Sequence, residues 1–195
     1  CMYPDRESAM REEMLGTGEV YGGNALYSYV KLLGWQVCKA ANDQLRAQWF
    51  TVIPSDIFGE IESTHFIADI MRKFHKAKEE NEPHVTFWGT GTPIRHPLFA
   101  HDFERILSGL CEIYEGTEPI NVAPPVSYAK SICSIALDIR EIVDYTGTVE
   151  WDASHPDGQK IKILDNSRLM KLGEFKFTPW KESLEKAYDE IKNHI

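Results

Sequence analysis

The stretch Asn24-Ala-Leu-Tyr-Ser-Tyr-Val-Lys-Leu-Leu-Gly-Trp-Gln-Val-Cys-Lys-Ala-Ala-Asn-Asp-Gln-Leu45, followed by Trp49-Phe-Thr-Val-Ile-Pro54, decides the fold class. Leu26, Val30, Leu33, Val37, Ala41 and Leu45 recur at spacings of three and four, which predicts one apolar stripe on a long helix. Trp49 to Ile53 is a short apolar, β-branched run closed by Pro54-Ser55, which predicts a buried strand. A helix feeding such a strand is an α–β unit.

The pattern repeats down the chain. Phe66, Ile67, Ile70, Met71, Phe74 and Ala77 make a second stripe, and His84 to Trp88 a strand. Asp102 is placed to cap a helix carrying Phe103, Ile106, Leu107, Leu110 and Ile113. Pro119 to Val122 reads as a strand, and Ser127 as the cap of a helix with Ile132, Ile135, Ala136, Ile139 and Val143. Val149 to Trp151 and Ile161 to Leu164 read as strands around a Pro156-Asp157-Gly158 turn, and Leu184, Ala187, Tyr188 and Ile191 as a last helix. Residues 5–23 read as a loop with a short helical turn. Alternating helices and strands predict an α/β fold with a mainly parallel sheet. The best internal boundary lies near Gly59, where the sequence turns polar.

Composition narrows the function classes. The 195 residues carry a net charge of -9, with 43% hydrophobic and 26% charged residues. That is a globular average. The acidic balance argues against nucleic acid, which selects a basic face, but leaves room for a local cationic pocket. Cys1, Cys38, Cys111 and Cys133 have no C-x-x-C spacing, and the histidines lack the i, i+4 pairing of a helical metal site. We expect no metal, a reducing cytoplasmic setting, and no membrane span, since no apolar run approaches the ~20 residues required.

Two segments carry candidate chemistry. Tyr27 and Lys31 stand one helical turn apart; an ammonium beside a phenol favours the phenolate, and such a tyrosine can pass a proton to a substrate oxygen. Spacing alone is unspecific, because Tyr188 and Lys192 repeat it near the end of the chain, where we read a surface pair. Trp88-Gly-Thr-Gly-Thr-Pro-Ile-Arg95 offers glycines for close backbone approach, an arginine fork for phosphate and an indole for stacking. No Gly-x-Gly-x-x-Gly opens a helix after a strand anywhere in the chain, so its own residues supply no dinucleotide pyrophosphate cradle.

Taken in order, these segments resemble the extended short-chain dehydrogenase/reductases, and within them the branch that epimerises and reduces GDP-4-keto-6-deoxymannose. The ordered pieces are Cys1-Met-Tyr-Pro4, Tyr27-x-x-x-Lys31, Val52-Ile-Pro-Ser-Asp-Ile-Phe-Gly59, Ser63-Thr-His65, Arg72-Lys-Phe-His75, Trp88 to Arg95, Pro119-Ile-Asn-Val122, Pro156-Asp-Gly158, Leu164-Asp-Asn-Ser-Arg168 and Leu172-Gly173. The resemblance covers roughly the last three-fifths of a family member. It implies a remnant of a doubly wound, Rossmann-like sheet plus a small α/β substrate domain. Residues 1–59 would be the back part of the NAD(P)-binding domain. Residues 60–195 would be mainly the substrate domain, with 102–122 returning to the first sheet.

The resemblance also implies roles. Tyr27 would donate the proton in a reductive step with Lys31 as its partner, and Cys1 and His65 would be base and acid of the epimerisations. Pro54, Ser55, Asp56 and Ile57 would line the cofactor side together with Tyr27, Lys31 and His65. Lys73, Trp88, Arg95, Asp157 and Lys162 would hold the GDP-sugar. The cofactor would be NADP (NADPH), and the partner a second copy or a chain supplying the rest of the sheet; this chain alone would bind NADPH poorly. The chain departs from the family at Phe99-Ala-His-Asp102, at Ala123-Pro124-Pro125 and at Lys73, where arginine is usual. Another NAD(P)-dependent nucleotide-sugar epimerase/reductase, and a non-catalytic scaffold derived from one, are the alternatives.

Overall fold

The computed structural model describes residues 1–59 and 65–194. The polar boundary segment and the Ser63-Thr64 part of the Ser63-Thr-His65 motif lie outside the described residues. Helix α1 (Ala25–Leu45) runs into β1 (Val52–Pro54) and β2 (Asp56–Phe58); α2 (Phe66–Glu79), β3 (His84–Trp88), β4 (Ile94–Arg95), β5 (Pro97–Phe99) and α3 (Ala100–Ile113) follow. Then come β6 (Ile120–Val122), β7 (Lys130–Ser131), α4 (Ile132–Val143), β8 (Thr148–Asp152), α5 (Ser167–Leu172) and α6 (Trp180–Ile191). Three strand pairs are parallel: β1 with β6, β2 with β5, and β3 with β8. β4 with β7 is antiparallel. Parallel pairs need crossovers, and the helices supply them.

Among the described residues, the buried apolar side chains gather in three clusters. α2, α4 and α6 pack on β3 and β8 through Ile67, Met71, Phe74, Ile135, Ile139, Leu184 and Ala187. β3 alternates exposed and buried residues, with Val85 and Phe87 inward, as a half-covered strand must. β5 and β6 are buried at every position. Around them α3 and α5 bring Ile106, Leu110 and Leu169 against Leu98, Ile120 and Val122. The third cluster joins Tyr3, Met10 and Leu15 to Ile53, Ala123 and Leu164.

Several sequence expectations change. The α1 stripe does not face a core: Leu26, Val30, Leu33 and Val37 are exposed, and of the six residues only Ala41 is buried. The helix touches the body with Ser28, which is buried, and with the half-buried Leu32 and Trp35. The first strand is shorter than the apolar run, and Trp49 is exposed. Asp102 is not a cap. It lies in the first turn of α3, buried, and accepts hydrogen bonds from Arg105 and from the Thr178 backbone N–H and hydroxyl. The α4 cap is Ser131, whose Oγ accepts the Ser134 N–H at 3.1 Å, rather than Ser127, which sits in a separate 3-10 turn. Residues 161–164 bridge β4 at Ile161 and Met10 at Leu164 without forming a strand. Of the Tyr188–Lys192 pair, Lys192 is exposed with its Nζ 5.9 Å from the tyrosine ring centroid, while Tyr188 is half-buried with its hydroxyl 2.7 Å from His75 Nδ1.

One polar contact closes the third cluster. Asn121, in the middle of β6, is fully buried. Its Oδ1 accepts the Tyr3 hydroxyl at 2.5 Å, and its Nδ2 donates to the Met10 and Asp165 carbonyls, each at 3.0 Å. Its backbone N–H donates to Glu12 at 2.8 Å. Asn121→Leu keeps the shape but strands the Tyr3 hydroxyl and two carbonyls. In urea unfolding we expect a loss of about 3–5 kcal/mol. Lys186→Ala, which breaks an exposed pair with Glu182, should change stability by no more than about 0.5 kcal/mol. An Asn121→Leu loss below about 1 kcal/mol would contradict the assigned role.

Candidate functional site

A cavity of about 600 Å³ opens where the N-terminal segment, α1, β1, β2 and residues 162–164 meet. Its wall carries Cys1, Tyr27, Lys31, Pro54, Ser55, Asp56, Ile57, His65 and Lys162. All four residues expected to act chemically, and all those expected on the cofactor side, therefore share one space. Asn24 precedes α1 and makes no helix cap; its Nδ2 instead donates to Cys1 Sγ at 2.9 Å. Lys31 Nζ lies 5.3 Å from the Tyr27 ring centroid, the one-turn contact that the spacing predicts. His65 begins α2 with its ring 4.9 Å from that of Phe66. Among the described residues, Ser55 Oγ is the buried side-chain polar atom without a partner.

Three charged groups back this cavity. Burial pulls the Lys162 ammonium below its usual range; Asp56 opposes that shift and Arg95 adds to it. Arg95 is lowered by the same desolvation, opposed by Asp56 and Asp157. Lys162 and Arg95 thus bring cationic charge to the cavity inside an acidic chain, with Asp56 near both and Asp157 near Arg95.

The residues expected on the sugar-nucleotide do not form one set. Lys162 joins the catalytic wall. Trp88, at the end of β3, is 73% exposed and lies parallel to His155, with centroids 4.4 Å apart. Asp157 accepts the Thr90 N–H at 2.6 Å and the Thr90 hydroxyl at 2.7 Å, bonds that hold its carboxyl below the usual range. The glycines between Trp88 and Arg95 make this approach possible. Gly89 has φ +85°, and a Cβ there would meet Asp157 Oδ1 at 2.5 Å; a Cβ on Gly91, at φ +72°, would strike the Trp151 ring. Arg95 is not a surface fork. It is buried, and its Nη1 donates to the Ile94 and Gln159 carbonyls at 2.9 and 2.8 Å. Lys73 stands apart on α2, paired with Asp69 at 3.3 Å and 5.3 Å from the Phe87 ring centroid.

Sequence reading missed three members. Asn24 at the thiol carried the signal of a polar residue just before the helix. His155 beneath Trp88 adjoins the Pro156-Asp157-Gly158 turn. His96, next to Arg95, is fully buried and bonded on both sides of its ring.

Comparison with known proteins shows the family and the fold. The model of the NAD dependent epimerase/dehydratase family matches residues 1–123, more than half of the chain. A GDP-L-fucose synthase of Sinorhizobium fredii is 30% identical over 201 residues, covering 100% of this chain and 63% of its own length. Its Escherichia coli counterpart is 33% identical over 188 residues, with 89% and 58% covered. The chain thus spans about three-fifths of the curated relatives it matches. A crystal structure of a GDP-L-fucose synthetase from Naegleria fowleri bound to NADP superposes with a TM-score of 0.87 at 28% identity, covering 100% of this chain and 64% of that one. With its parallel strand pairs and Rossmann-like α/β fold, the chain belongs to the NAD dependent epimerase/dehydratase family.

Proposed function

We propose that the protein carrying this chain is an NADPH-dependent nucleotide-sugar epimerase/reductase acting on GDP-4-keto-6-deoxymannose, by 3,5-epimerisation and then reduction of the 4-keto group. The observation that carries this reading is the single cavity shared by Cys1, Tyr27, Lys31 and His65. A proton α to a ketone is acidic enough for a thiolate to remove, leaving an enolate. Cys1, polarised by the Asn24 amide, takes that proton, and His65 returns one to the opposite face of the carbon. Tyr27 then gives its hydroxyl proton to the keto oxygen, while Lys31 stabilises the phenolate left behind.

Tyr27, Lys31 and the Pro54 to Ile57 wall suit the nicotinamide-ribose end of a dinucleotide, and the unpartnered Ser55 Oγ lies on that wall. The dinucleotide supplies the hydride. No residue of this chain provides the glycine-rich cradle for its pyrophosphate. Lys162, on the cavity wall, suits the substrate diphosphate, and the exposed Trp88 with His155 offers a flat face to a base. Residues 1–59 then act as part of the dinucleotide-binding unit and 60–195 mainly as the substrate unit, with β6 paired to β1.

Two copies, we infer, pair through the open α1 face, where Leu26, Val30, Leu33 and Val37 form a continuous apolar strip. Among the described residues no helix is long and apolar enough to cross a membrane, so a lipid span does not account for the strip.

Three measurements test these assignments. In a protein joining this chain to a dinucleotide-binding half from a relative, Tyr27→Phe should slow 4-keto reduction by at least about 100-fold. Cys1→Ser there should abolish solvent-deuterium exchange at the carbons flanking the ketone; exchange at the unmodified rate would remove the epimerase step. By light scattering, the chain should be a dimer and Leu33→Lys/Val37→Glu a monomer, whereas a double variant that remains dimeric would rule out this face.

A further inference from the structure

His96 is used by none of the steps above, yet it is completely buried and sits behind the cavity. Its ring Nδ1 accepts the Leu164 backbone N–H at 3.2 Å, which fixes the proton on Nε2, and Nε2 faces the Pro125 carbonyl at 3.3 Å. Its backbone is tied twice to Asp56: the Asp56 N–H donates to the His96 carbonyl at 3.1 Å, and the His96 N–H donates to Asp56 Oδ2 at 3.3 Å. Asp56 and Leu164 both line the cavity, and Lys162 is two residues from Leu164. One residue therefore links the β2 wall, the 162–164 wall and the Ala123-Pro124-Pro125 loop.

We propose that His96 is a positioning residue of this cavity: its neutral, Nε2-protonated imidazole locks the Lys162-bearing wall against the Asp56-bearing strand, and a proton on Nδ1 unlocks it. A protonated Nδ1 would point a donor at the Leu164 N–H, which is itself a donor, so the bond cannot survive charging. The charged residues on the segments meeting the ring are Asp56 on β2, Lys162 and Asp165 on the 162–165 stretch, and Arg95 next in the chain. The 123–125 loop brings only carbonyls. Burial favours the neutral ring and outweighs the Pro125 carbonyl and Asp56, which favour the charged one.

The sign follows. A histidine lowered in the folded state binds fewer protons there than when released, so the lock is whole above the ordinary value of about 6.5 and weakens as pH falls below it. The inference rests on the cavity being the ligand site proposed above, and two readouts keep the two ideas separable.

The first readout is amide hydrogen exchange at Leu164 by NMR between pH 8 and 5, corrected for intrinsic exchange. In the natural chain, protection should fall by up to about tenfold per pH unit below about pH 6.5. His96→Asn, whose Oδ1 can accept the same N–H without titrating, should hold protection constant within about threefold. His96→Leu should be unprotected throughout; if that variant does not fold, the contrast with His96→Asn still decides. Protection that is flat with pH in the natural chain, or that falls equally in His96→Asn, would overturn the proposal.

The second readout is GDP affinity by calorimetry over the same pH range. It should weaken with Leu164 protection in the natural chain but not in His96→Asn. GDP affinity that ignores a pH-dependent Leu164 would show that the lock does not serve the ligand. Absence of GDP binding at every pH would contradict the nucleotide-sugar reading, while the exchange contrast would still support the lock.

Discussion

A buried carboxamide in the centre of β6 is the constraint on which the site depends. Asn121 accepts from Tyr3 and donates to Met10 and Asp165, while its backbone N–H is held by Glu12. Left unpaired, each of these groups would cost about 1–3 kcal/mol, so the segments that carry them have little freedom to leave. Burial, with the Glu12 carboxylate adding to it, raises the Tyr3 hydroxyl far above its usual range and keeps it a donor. Arg168 extends the tie outward, with Nη1 on the Pro119 carbonyl and Nη2 on Glu13. The N-terminal segment, which carries Cys1, and the 162–165 segment, which carries Lys162, are thereby fixed on the β1–β6 pair. Pro54, the last residue of β1 and paired with Val122, leads directly to Ser55 and Asp56.

The cavity wall is assembled from segments far apart in the chain, and that explains what could be read in advance. Tyr27 and Lys31 were legible because their relation is one turn of one helix. The α2 stripe from Phe66 to Ala77 was legible because its period and its burial agree. The α1 stripe shows the same period, but periodicity reports that an apolar face exists and not what covers it; here the small Ser28 and the half-buried Leu32 and Trp35 make the contact instead. Asp102 and Ser127 misled as caps because any acidic or hydroxyl residue near a helix start satisfies the pattern. Which one bonds depends on where the first turn begins, and that is set by β5 and β7 entering α3 and α4 directly.

The division of the expected substrate residues has the same origin. Lys162 and Asp157 are five residues apart, yet Gly158 and the Ile94–Ile161 bridge send them to different places. Arg95, expected to fork onto a phosphate, is instead buried, with its Nη1 donating to the Ile94 and Gln159 carbonyls. Lys162 and Arg95 thus bring cationic charge to the cavity of an acidic chain, with Asp56 near both and Asp157 near Arg95.

The central claim is that the thiol, the phenol–ammonium pair and the imidazole face one space, held there through Asn121. A nitroxide on Cys1, with Cys38, Cys111 and Cys133 replaced by serine, tests it directly by paramagnetic relaxation in NMR. The account predicts strong broadening of the Tyr27, Asp56, His65 and Lys162 amides. Full intensity at those four positions would contradict it.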